Sequence, residues 1–98
     1  MLTLADLIEF SGLDESEILA IAEHEQIPEA AACSLAAYLS KDTAGEIAIR
    51  DMIVDDIRSA QGREDREHVQ ELLHVLHHFL RAHPAALPEQ HPWSSQLS

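Results

Sequence analysis

The chain of 98 residues has few of the residues on which β-rich or disulfide-bonded folds depend. Three Gly and four Pro are too few for the many tight turns of an all-β protein. Cys33, the single cysteine, cannot form an internal disulfide, which fits a reducing compartment and predicts a cytoplasmic protein. Aromatic residues make up 4% of the sequence, whereas Ala and Leu are abundant, and this mixture favours helices. We therefore expect an all-α fold.

Basic residues are also scarce. The sequence contains six Lys and Arg and 18 Asp and Glu, which gives a formal net charge of −12. Residues 1–40 contain no Lys or Arg. Nucleic acids and anionic membranes bind basic surfaces, so this balance argues against both as partners. No apolar run approaches the roughly 20 residues that span a bilayer. The charge is compatible with cation binding and with a basic protein partner.

One motif resembles a DNA-binding element. "SGLDESEI" (11–18) is similar to the turn and start of the recognition helix in helix-turn-helix proteins. That helix would present Glu15, Glu17, Glu23 and Glu25 to the phosphates and carries no base. We interpret the motif as a helix end followed by a helix start. Gly12 ends the first helix, and Asp14 with Glu17 forms a capping-box-like pair.

The apolar pattern and the end signals predict four helices. Thr3 caps the first, at about 4–11, and the second runs over about 15–40. Pro28 lies inside the second helix and predicts a kink or break there. Thr43, three residues before Glu46, opens a third helix that runs to about Ala60 and is closed by Gly62, and the fourth covers about 64–83. Short loops favour an antiparallel three-helix bundle, with the short first helix across one end. We expect residues 1–83 to form one domain and 84–98 a loose or partner-ordered tail.

The segment after Pro28, "AAACSLAAYL", is apolar nearly all round. A helix of this kind is usually buried on more than one side, which a small bundle cannot provide alone. We therefore expect a homo-oligomer with Ala31, Leu35 and Tyr38 at the interface. The alternative is an exposed alanine face, since Ala is a good helix former.

Histidines are concentrated in the fourth predicted helix. Glu67, Glu71, His74 and His78 form one polar row opposite the apolar face, which we call the histidine ridge. Imidazole and carboxylate groups one helical turn apart are possible ligands for a divalent transition-metal ion. The alternative is a solvated helix face that happens to be rich in histidine.

A second candidate metal site lies before and after the proline. Glu25 extends the apolar face of its helix, and a buried carboxylate needs a partner such as Arg50, a histidine or an ion. We therefore group His24, Glu25 and Glu29. Alternatively, Glu25 lies at the rim of the core and reaches solvent.

No pattern typical of an enzyme is present in the chain. It lacks a Gly-rich phosphate loop and a nucleophile elbow, and Cys33 lies in an apolar segment. We predict a non-catalytic, acidic, oligomeric module for protein–protein interaction or assembly. The alternatives are a metal-binding helical protein that uses Glu and His ligands, or a pH-responsive regulator, because six of the seven histidines lie between His68 and His91.

Overall fold

The computed structural model describes residues 3–87, and the regular structure of this part is entirely helical. The elements are α1 (Leu4–Ser11), α2 (Glu15–Glu25), α3 (Glu29–Leu39), α4 (Thr43–Gly62), α5 (Arg66–Ala82) and a 3₁₀ turn, Pro84–Ala86. The described residues contain no strand, so the all-α prediction is confirmed. Within the same range, no helix is long and apolar enough to cross a membrane.

The first two helices begin with reciprocal side-chain caps. Thr3 Oγ1 accepts the Asp6 N–H at 3.2 Å, and Asp6 Oδ2 accepts the Thr3 N–H at 3.0 Å. Asp14 and Glu17 form the same pair of bonds, both at 3.0 Å. These bonds satisfy N–H groups that have no partner inside the helix. Gly12, at φ 79°, ends α1 in the left-handed conformation, so both predicted boundaries are confirmed.

The single kinked helix predicted for 15–40 is not confirmed, because the chain breaks into α2 and α3. Gln26 takes a left-handed conformation at φ 56°, and the N–H groups of Gln26 and Ile27 both donate to the carbonyl of Ala22. This closes α2 two residues before Pro28. The proline ring disfavours a helical conformation at Ile27, so α3 starts afresh with Pro28 at its cap. The bundle therefore has five helices in the described residues and no long kinked one.

The core lies where α2, α4 and α5 meet. Its largest fully buried apolar side chains come from all three helices: Ile18, Ile21, Ile49, Ile53, Phe79 and Leu80. Helix α1 does not lie across the end of a bundle as predicted. It packs against α3, and Ser40 Oγ donates to the Ser11 carbonyl at 3.2 Å. Because α1 covers one side of α3, part of the apolar surface of α3 is buried within the chain itself.

The turn between α3 and α4 is tighter than the sequence suggested. Asp42, rather than Thr43, caps α4, and its Oδ1 accepts the Gly45 N–H at 2.8 Å. A Cβ atom at Gly45 would lie 1.7 Å from the Leu39 carbonyl oxygen. The close approach of the two helices therefore requires glycine at this position.

The chain after α5 returns to the core. Ala86 is buried, and its carbonyl accepts a hydrogen bond from Arg50 Nη1 at 2.6 Å. The first residues of the predicted loose tail are thus packed against α4. The remainder of that prediction, 88–98, falls outside the described residues.

Candidate functional site

The histidine ridge does not assemble a metal site by itself. Glu67, Glu71, His74 and His78 are all exposed on α5. Among the described residues, the only set of three ligand atoms within 4.8 Å of one another comes from Asp14, Glu17 and His78. His78 therefore turns away from the ridge and towards the start of α2.

We call Asp14, Glu17 and His78 the N-terminal cluster. The first oxygen of each carboxylate, Oδ1 of Asp14 and Oε1 of Glu17, accepts a backbone N–H in the capping box. The second oxygens, Oδ2 and Oε2, both lie 3.2 Å from His78 Nδ1. The side chain of Glu17 is only 3% exposed, whereas that of His78 is 61% exposed. The imidazole of His78, on α5, thus contacts the two carboxylate oxygens that the capping bonds at the start of α2 leave free.

The second predicted site is only partly assembled. His24 Nδ1 lies 2.8 Å from Glu25 Oε2, and its Nε2 lies 3.2 Å from Asp55 Oδ2. Glu29 is the first residue of α3, so the interruption between α2 and α3 separates it from His24 and Glu25. Glu25 is exposed, so the alternative that it reaches solvent at the rim is the one observed, and Arg50 pairs with Asp51 instead. Burial lowers the pKa of His24, but hydrogen bonds to Glu25 and Asp55, together with the charges of Asp56 and Glu25, outweigh it and raise the pKa above its ordinary value.

The buried acid on this side of the molecule is Asp56, which is 5% exposed. Its Oδ2 has no hydrogen-bond partner among the residues that the structure describes. Burial, and secondly the charge of Glu23, raise the pKa of Asp56 to about 6, although His24 and His68 act in the opposite direction. A buried carboxylate with an unpaired oxygen is costly when ionised.

Charged groups from three helices surround this carboxylate. Glu23 and His24 come from α2, Asp55 from α4 and His68 from α5, and Glu23 Oε1 lies 2.7 Å from His68 Nε2. We call these four residues together with Asp56 the Asp56 cluster. Asp56, Glu23, His24 and Asp55 line a shallow groove that Arg63 also borders.

The predicted interface residues differ in exposure. Ala31 is exposed and Tyr38 is 68% exposed, but Leu35 is partly buried against the core. Phe10, at the end of α1, is 71% exposed. Exposed apolar side chains are therefore found on α1 as well as on α3.

Sequence reasoning missed Asp56 although the pattern contained a signal. The apolar face of α4 repeats at Ile49, Ile53, Ile57 and Ala60, and position 56, seven residues after Ile49, falls on that face. A carboxylate on the apolar face is the signature of a buried acid. For Glu17 the capping box was recognised, but its partnership with His78, 61 positions away, needed the fold.

The cysteine of the chain lies in the core. Cys33 is 2% exposed, and burial, followed by the charge of Glu29, raises the pKa of its thiol. A buried thiol of this kind is a poor nucleophile. Comparisons with protein-family models, with curated proteins and with solved structures found no match.

Proposed function

We propose that the protein is a self-associating helical assembly module whose copies meet through a surface formed by α1 and α3. The exposure of Phe10 and Tyr38, at 71% and 68%, is the observation that carries the proposal. The whole sequence has only four aromatic residues. Large aromatic side chains left in water on a small protein are typical of protein–protein contacts.

The two side chains stand near a common end of the paired helices. Each lies within two residues of the hydrogen bond between Ser40 and Ser11 that joins the ends of α3 and α1. Ala31 and Tyr38 are seven residues apart and so lie on one side of α3. We call Phe10, Ala31 and Tyr38 the aromatic surface. Its small and flat residues suit the close approach of a second copy.

Charge opposes this association and provides a test of it. Two copies with a formal net charge of −12 repel each other, and salt screens that repulsion. Lys41, whose Nζ lies 5.5 Å from the centre of the Tyr38 ring, is a local exception to the acidic surface. Association should therefore strengthen as salt is added, whereas binding of a basic partner would weaken.

Sedimentation velocity of the full chain tests the proposal. We expect the wild type to sediment above the 10.9 kDa monomer mass, and increasingly so with salt. Tyr38→Glu and Ala31→Glu should return it to 10.9 kDa, because each places a charge on the aromatic surface. Leu35 is a poor test position, since a charge there would disturb the core.

The matched control is Leu19→Glu, which also removes an exposed apolar side chain but lies on α2. It should leave the mass unchanged. Circular dichroism should show equal helix content for all variants. A wild type that remains at 10.9 kDa at every concentration, or a loss of association in Leu19→Glu alone, would contradict the proposal.

A second candidate function, the binding of a divalent transition-metal ion, is favoured by the N-terminal cluster. Ligand atoms about 2.1 Å from a tetrahedral zinc ion are about 3.4 Å apart. The two 3.2 Å separations around His78 Nδ1 are close to that spacing. The capping bonds use the other carboxylate oxygens, so α2 would keep its cap with an ion in place.

Titration with cobalt(II) or zinc(II), followed by absorption spectroscopy or calorimetry, tests this candidate. We expect one equivalent to bind and His78→Gln to abolish binding. His74→Gln, on the same helix but outside the cluster, should bind as the wild type does. Equal loss in both variants would favour the histidine ridge instead, and no saturation at millimolar metal would exclude both sites.

A further inference from the structure

A long groove between α2 and α5 is not used by the proposed function. Two histidine–carboxylate contacts tie the helices together: His78 meets Asp14 at 3.2 Å at one end, and His68 meets Glu23 at 2.7 Å at the other. The helices are therefore antiparallel. The ties are ten residues apart on α5, which is roughly 15 Å of helix.

Between these two contacts, the side chains of α2 and α5 do not fill the space between the helices. The groove has a volume of about 1200 Å³ and is open to solvent. On α2 its floor is made by Ala20 and Ala22, whose small side chains leave the gap, and on α5 by Leu72. Leu19, which is 49% exposed, and Val75, which is partly buried, form apolar walls. The result is an apolar trough a few helical turns long.

The rim of the groove is acidic. Of the described residues that line it, Asp14, Glu23 and Glu71 are acidic, four are histidines, and Arg81 is the only Arg or Lys. This local excess of acid matches the formal net charge of −12. An occupant with apolar side chains on one face and cations at its edges is complementary both to the floor and to the rim.

We propose that this groove binds an amphipathic, basic α-helix of a partner protein. Helix-in-groove recognition places side chains spaced by three and four residues on an apolar floor, and a groove of this length accommodates roughly three turns. The partner's Lys or Arg side chains would lie against Asp14, Glu23 and Glu71. This surface is distinct from the aromatic surface, so the two proposals succeed or fail independently.

The test uses a fluorescein-labelled 18-residue peptide of Leu and Lys in amphipathic order and the full-length protein. Fluorescence anisotropy should give a dissociation constant on the order of micromolar in moderate salt. Leu19→Glu should weaken binding by at least about tenfold, because it puts a charge on an apolar wall of the groove. Glu71→Lys should weaken it roughly threefold and reduce its salt dependence. Tyr38→Glu, which tests the aromatic surface, should bind as the wild type does.

Three further peptides make the result decisive. The same composition in scrambled order, an amphipathic Leu–Glu peptide and a peptide of residues 88–98 should each bind at least about tenfold more weakly. Equal binding of the scrambled peptide would reduce the effect to general charge attraction and overturn the proposal. Tighter binding of the 88–98 peptide would make the chain itself the occupant. Loss of binding in Tyr38→Glu, or no saturation at all, would also overturn it.

Discussion

Helix α2 takes part in two histidine–carboxylate clusters that differ in how well their polar atoms are satisfied. In the N-terminal cluster, each carboxylate places one oxygen on a backbone N–H and the other near His78. In the Asp56 cluster, Oδ2 of the buried Asp56 carboxylate has no hydrogen-bond partner within residues 3–87. Carboxylates near histidines thus stabilise the fold in the N-terminal cluster, whereas the buried carboxylate of Asp56 destabilises it. The difference lies in backbone donors, which the start of a helix provides and its middle does not.

The largest effect should come from breaking the satisfied cluster at Glu17. Glu17→Ala leaves the Asp14 N–H without its acceptor and removes a buried side chain, so we expect a loss of about 3 kcal/mol of unfolding free energy. Urea denaturation measures this change. Glu15→Ala, an exposed position in the same helical turn, should cost under about 0.5 kcal/mol. Equal effects at the two positions would mean that the cap does not depend on Glu17.

Replacing Asp56 should raise the free energy of unfolding, which is the opposite of the effect expected at Glu17. Asp56→Leu removes a buried carboxylate from an apolar helix face, and we expect it to stabilise the protein by about 1 to 2 kcal/mol at neutral pH. Asp56→Asn should gain less, because its amide also needs partners. Thermal denaturation of both variants measures the difference. A destabilised Asp56→Leu variant would show that this carboxylate contributes to the fold.

The Asp56 cluster should also make stability depend on pH. The pKa of Asp56 is about 6 in the folded protein and 3.8 ordinarily, so the folded state holds the proton more tightly. The contribution of the protonated Asp56 carboxyl to the free energy of unfolding is present in full below about pH 3.8 and is lost as pH rises through about 6. Relative to Asp56→Asn, the wild type should gain about 1 kcal/mol on going from pH 7 to pH 5.

His24 changes stability in the same direction, because its pKa is raised and its contribution is lost as pH rises. His24→Gln separates the two groups: it should remove only part of the pH dependence, and the part assigned to Asp56 should persist. Glu23, Asp55 and His68 face the same carboxylate and stay unchanged in both variants. Parallel pH profiles for the wild type and Asp56→Asn would contradict the assignment.

The smallest effect should come from His78. Its side chain is 61% exposed, and exposed ion pairs contribute little, so His78→Gln should cost less than about 1 kcal/mol. His74→Gln is the control on the same helix. A larger loss for His78 would mean that the link between α5 and α2 stabilises the fold by more than an exposed ion pair does.

Local signals in the sequence predicted most of the helices. The capping box of Asp14 and Glu17, the left-handed Gly12 and the apolar repeats of α4 and α5 act over a few residues, and each was found where expected. Pro28 marked the correct place for an interruption. Whether the helix bends or breaks there depended on the left-handed Gln26, which carries no strong sequence signal.

Little of the candidate site followed from the sequence in the same way. The histidine ridge was correctly placed on an exposed face of α5. The carboxylates that His78 contacts, however, lie at the start of α2 and not on the ridge. Glu25 was considered as a possible buried acid and Asp56 was not considered, although both extend an apolar face; Glu25 is exposed and Asp56 is buried once the helices have packed. Of the three residues predicted at an interface on α3, Ala31 and Tyr38 are exposed, whereas Leu35 is partly buried against the core.

Helix propensity, capping and charge are properties of residues close together in the chain, so they were enough to predict the all-α class, most helix boundaries and the acidic character. Helix packing sets which carboxylates meet which histidines, which buried acid keeps an oxygen without a hydrogen-bond partner among the described residues, and where a groove opens between α2 and α5. Those outcomes arise between residues tens of positions apart. Such contacts exist only after the helices have packed, so no local pattern can encode them alone.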